Sequence, residues 1–139
     1  LKLNIYLNSE KLLKVTNYIK DYYNQELIIE NSNNILTPGN LIRLNKICID
    51  NNISDDLNIL SKSQKLLSLF KLNKDPNNLK LLNFFIESYF YILCKKDKIN
   101  IEIYNNEKNK VLYSINDFVK YNLNINSTLN TLKILFSND

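Results

Sequence analysis

A chain of 139 residues, 45% hydrophobic and with a formal charge of +4, can bury one real core, and its scattered lysines lack the clustered basic footprint of a strong nucleic-acid binder. With no histidine and a single glycine, it excludes Ser-His and Cys-His nucleophile pairs, His-ligated metals, P-loops and GxGxxG phosphate cradles. No apolar run approaches the ~20 residues of a membrane span.

The opening LKLNIYL alternates, with Leu1, Leu3, Ile5 and Leu7 on one side and Lys2, Asn4 and Tyr6 on the other. That pattern predicts a half-buried strand. Ser9 then caps a helix whose core face reads Leu12, Val15, Ile19 and Tyr22. ELIIE at 26–30 predicts a second strand, and NSNNILTPGN, with the only Gly, a loop. LIRL and KICI predict two short strands joined at a tight Asn45-Lys46 turn. A helix follows from about Ser54, with Asp55 and Asp56 in the first turn, where the dipole favours acids, and Ile53, Leu57, Leu60, Leu67 and Phe70 as its apolar members.

The next stretch, DPNNLKLLNFFIESYFYILCKK, predicts a helix over 76–94, opened by an Asp75 cap and by Pro76 in the first turn. One apolar stripe runs through Leu79, Leu82, Ile86, Tyr89 and Leu93, and a second through Leu81, Phe84 and Tyr91. A helix apolar nearly all round needs cover on two faces. Residues 95–110 read as a polar linker, with INIEIY a brief strand or the start of the next helix. VLYSINDFVKYNL gives a helix through Leu112, Ile115, Val119 and Asn122, and STLNTLKILF begins another, with Asn130 as a candidate cap.

Asn, Lys, Ile, Leu and Tyr dominate and Arg43 is the only arginine, a bias matching AT-rich codons rather than a function. The start lacks a basic n-region followed by an apolar h-region, so no signal peptide is expected, and its lack of Met suggests an excised domain. Cys48 and Cys94 have no CxxC partner, which predicts two buried reduced thiols in an intracellular protein and no metal site.

Strand–helix–strand, a hairpin and then helices is the plan of a glutathione S-transferase fold, an α+β architecture with a thioredoxin-like half over 1–70 and a helical half over 71–139. Three stretches resemble the glutathione S-transferase-like domains appended to aminoacyl-tRNA synthetases, the glutamyl and methionyl enzymes above all. NLIRLNKICIDNNISDDLNIL is similar to the hairpin leading into helix three; LLNFFIES, with Phe85-Ile86-Glu87, resembles the aromatic-Leu-Glu segment of helix four; STLNTLKIL looks like the start of helix six. Two positions depart from that pattern: Lys133 stands where the family has Asp, and Pro38 lies one residue out from the usual cis-proline.

The resemblance implies a non-catalytic cytoplasmic domain that docks a synthetase into a multi-synthetase complex, touching tRNA only indirectly. Its partner would be another such domain, pairing through helices three and four. The implied partner-binding residues are Leu60, Leu67, Leu81, Phe84, Ser88 and Tyr91, with Ser88 as the close-approach point. No catalytic, cofactor or metal residue is implied. Tyr6 and Ser9 occupy the place of a transferase's thiolate partner, but Ser9 is more simply a cap. Asp50, Asn51 and Asn52 stand where glutathione's carboxylate would be held, and Asp50 repels it. The pairs Asp55/Asp56 and Glu102/Glu107 read as solvated surface. An all-helical Bcl-2-like bundle holding a partner helix in a groove is the rival reading, and an active transferase the third.

Overall fold

A computed structural model describes residues 9–24, 26–29, 36–96 and 100–137. Six α-helices account for the regular structure, with no strand among the described residues. The expected α+β, thioredoxin-like first half is therefore wrong. The chain divides into two compact units, Leu1–Asp55 and Asp56–Asp139.

The first unit packs α1 (Ser9–Tyr23) against α2 (Pro38–Asp50). Helix α2 is where two strands and a turn were expected. Thr37 caps it, accepting from the Asn40 amide at 3.4 Å, and Pro38 takes the first turn, where it loses no hydrogen bond. Leu41, Leu44, Asn45 and Cys48 are its buried positions, a helical 3, 1, 3 spacing that a period-2 reading breaks at Asn45.

Asn45 is fully buried and makes no turn. Its Oδ1 accepts from the amides of Ile28, at 2.7 Å, and Ile29, at 3.3 Å, while Nδ2 donates to the Glu26 carbonyl at 2.7 Å. Residues 26–29 thus lie irregular and satisfied by a side-chain amide, where a strand partner was expected. The expected strand over 1–7 lies outside the described residues.

The second unit is a ring of four helices: α3 (Ile59–Asn73), α4 (Pro76–Lys95), α5 (Ile101–Tyr121) and α6 (Ile125–Ser137), each packed on the next, with α6 returning to α3. The ends are set by local chemistry. Asn58, Asp75 and Asn100 cap α3, α4 and α5 through side-chain oxygens that accept amide hydrogens at 2.8–2.9 Å. Lys74 and Asn122, at φ 55° and 50°, end α3 and α5 in the left-handed region. Helix α3 therefore starts at Ile59, not Ser54, and Asp55 and Asp56 stand in a turn before it. Helix α5 absorbs the expected polar linker from Ile101 onward, and Asn130 lies inside α6 rather than capping it.

The core of this unit is Leu66 and Leu67 of α3, Leu81, Leu82, Ile86 and Phe90 of α4, Val111, Ile115 and Phe118 of α5, and Leu132 of α6. Full burial of each such side chain contributes about 1.5–3 kcal/mol. Most of both stripes of α4 is covered by this chain, with Leu81 and Phe84 of the second buried and Tyr91 at its end exposed. Helices α3 and α5 pack on it, and Phe136 of α6 meets Tyr89 and Phe90, with ring centroids 5.3 and 6.4 Å away.

Candidate functional site

Helix α1 has one short buried face. Thr16 is buried with its hydroxyl donated to the Leu12 carbonyl at 2.8 Å, and Leu12, Val15 and Ile19 are half-buried beside it. Tyr22 and Tyr23 continue that stripe past its buried part and Tyr18 stands beside it, and Tyr18, Tyr22 and Tyr23 are 70%, 72% and 59% exposed. Tyr22, expected in the core, is among the most exposed aromatics of the chain. The i, i+4 spacing lays the Tyr18 and Tyr22 rings nearly parallel, 23° apart with centroids at 6.4 Å, and Tyr23 meets Tyr22 edge-on at 5.1 Å.

These rings form one wall of a cleft of about 610 Å³ whose other wall is α2. Gly39, Ile42, Arg43 and Lys46 line that second wall, and Ile19 joins the tyrosines on the first. Arg43 and Lys46 are exposed and one turn apart, and among the described residues no acidic one lines the cleft. Beside Gly39, a Cβ would meet nothing within 4 Å. The cleft thus offers large amphipathic rings, a few aliphatic carbons and two cations to whatever enters it. Such a surface binds and orients, and it holds no nucleophile–base pair.

A second depression, of about 480 Å³, lies between Glu26 and Ile28 on one side and Cys48 to Ser54 on the other. Cys48 is fully buried and Cys94 half-buried, and neither is in a disulfide. In the four-helix unit, Glu87 of α4 accepts from the Tyr104 hydroxyl at 3.1 Å and from Lys108 Nζ at 3.2 Å. Burial, then the charge of Glu87, push the Tyr104 phenol up. Burial works against the charged Lys108, but its bonds to Glu87 and Tyr104 outweigh that, so its ammonium is held more tightly than usual. This triad clips α4 to α5. No group of three or more metal-ligating side chains occurs among the described residues.

The six expected partner-binding residues do not form one outer face. Leu67, Leu81 and Phe84 are buried within the chain, Leu60 and Ser88 are half-buried, and only Tyr91 is exposed. The expected surface fails because Leu81 and Phe84 of the second α4 stripe are core. Asp50, Asn51 and Asn52 end a helix instead of starting one. Of the carboxylate pairs, Asp55, Asp56 and Glu102 are exposed, but Glu107 is half-buried, paired with Lys110 at 2.6 Å and with Oε2 out of reach of any donor. Ser9 is the first residue of α1, and Tyr6 lies outside the described residues. The tyrosine wall was missed, although YIKDYY at 18–23 carries more aromatic surface than one helix face can bury.

No protein-family model, curated protein or solved structure matches the chain. Among the described residues, no helix is long and apolar enough to cross a membrane.

Proposed function

We propose that this chain is a non-enzymatic binding module that docks a segment of another protein in the cleft between α1 and α2. One observation carries the reading: three largely exposed tyrosines share a single open cleft with Arg43, the chain's only arginine. Tyr and Arg are, with Trp, the residue types enriched where binding energy concentrates at protein interfaces. The rigid ring of Tyr brings much contact area at little entropic cost, and the planar fork of Arg pairs with carboxylates. Helix α1 has no core reason to carry these rings outward. The synthetase-docking role rested on a sheet-bearing half and on buried α4 residues, so only its general part, protein recognition without catalysis, is kept. An intracellular setting fits two cysteines that form no disulfide.

Selection of peptides from a random display library against the full chain tests this. Selected peptides should lose about tenfold or more in affinity on Tyr18→Ser with Tyr22→Ser, where rings are removed from solvent and folding is unaffected. Gly39→Trp should do the same by filling the cleft, because open space surrounds that position. Peptides that bind both variants as well as the parent would place docking elsewhere and end the proposal.

A further inference from the structure

Resting on that docking reading, we infer that the occupant of the α1–α2 cleft is an acidic protein segment, whose carboxylates meet Arg43 and Lys46 and whose apolar side chain lies on the Tyr18–Tyr22 face. Charge is the first argument. Arg43 and Lys46 stand three residues apart on α2, both exposed, and among the described residues no carboxylate lines the cleft to neutralise them. An incoming carboxylate finds a guanidinium able to bind it with two parallel hydrogen bonds, and an ammonium one turn further on.

The surrounding charges sharpen the choice. Lys14 is tied to Glu10 at 2.7 Å, and Lys20 faces a separate depression shared with Asp21 and Glu26. Among the described residues of the first unit, the positive field at the cleft is therefore local to two side chains and does not extend as a track. That decides against the other ligand that tyrosines and cations suggest together, a single-stranded nucleic acid. Bases stack well on tyrosine, but backbone binding takes a run of cations, about 6–10 phosphate contacts for a strongly salt-dependent binder. Two cations match two or three carboxylates. The rings supply the remaining contact through apolar faces, with their hydroxyls left at the wet edge.

A charge exchange tests the inference. Three fluorescent probes are titrated into the full chain by anisotropy: a short Glu/Leu peptide with a central Phe, the same peptide with Lys for every Glu, and an oligothymidylate. The acidic peptide should bind about tenfold or more tighter than the basic one and weaken severalfold as salt rises, since exposed charges are screened over about 10 Å at 0.1 M. Arg43→Glu with Lys46→Glu should reverse the order of the two peptides, and both side chains are exposed, so the fold is kept. Equal binding of the two peptides, or an unchanged order in the reversed variant, overturns the inference. Tighter binding of the oligothymidylate overturns it in favour of nucleic acid. If Tyr18→Ser with Tyr22→Ser still abolishes binding while charge reversal does nothing, docking stands and the acidic occupant fails. If neither change matters, both fail.

Discussion

Replacing Asn45 by Ala should loosen the first unit more than any surface change can. Its side chain is fully buried and makes three hydrogen bonds to the backbone of residues 26–29. Truncation strands the Ile29 amide, whose bond is buried, and the Ile28 amide and Glu26 carbonyl, whose bonds are partly so. A buried group left unsatisfied costs about 1–3 kcal/mol, and a lost bond that water can partly replace about 0.5–1.5 kcal/mol. The loss should total about 2–6 kcal/mol, a large share of the roughly 5–15 kcal/mol that holds an ordinary domain. Asn45→Asp should not rescue it, because a carboxylate keeps the acceptor but cannot donate to Glu26 and buries a charge. Urea unfolding followed by circular dichroism gives the energy, and amide exchange at Ile28 and Ile29 gives the place. A loss below about 0.5 kcal/mol, with exchange at those two amides unchanged, would refute the claim that one side-chain amide organises this segment.

Phe84→Asp should unfold the four-helix unit, losing more than about 3 kcal/mol, because an unpaired charge would enter a site that is only 4% exposed; a folded variant with an unchanged melt would return Phe84 to the surface. Alkali should weaken the α4–α5 clip. Tyr104 and Lys108 both hold their protons more tightly folded than unfolded, so above about pH 10 the unfolded chain has released protons that the folded one keeps, and stability falls as pH climbs through the folded values. Glu87→Gln should flatten that alkaline slope in melting curves, and an identical slope would remove Glu87 as its cause. Lys74→Gly should raise stability by up to about 1 kcal/mol, since Lys74 ends α3 at φ 55°, where glycine is unstrained; a lower melting temperature would show that its ammonium over the Phe70 ring, 5.4 Å away, matters more.

Helices with intact signals were legible in the sequence. Helix α4 could be read from Asp75, Pro76 and its spacing, and α1 from its apolar repeat. Helix α2 was not, because LIRL and KICI are short apolar runs that fit either period, and the Asn between them is a turn former unless tertiary contacts bury it. Asn45 is buried by such a contact, with residues 17 and 19 positions away, which local pattern cannot anticipate. The start of α5 was left open between a brief strand and a helix start at INIEIY, because its first turns face water on most sides. For the site, the two stripes of α4 were seen correctly as a surplus, but a partner was assigned where α3, α5 and Phe136 already sit. Of the outward tyrosines of α1, Tyr22 was placed on the core face, and Tyr18 and Tyr23 were given no role.

The central claim is that this chain recognises its partner between α1 and α2. Amide chemical-shift mapping of the isotope-labelled full chain, titrated with the acidic peptide, tests it most directly. Shifts should concentrate at Tyr18, Ile19, Tyr22, Gly39, Arg43 and Lys46 and grow to saturation together. Saturating shifts that instead cluster on α3 to α6, with those six amides unmoved, would contradict it.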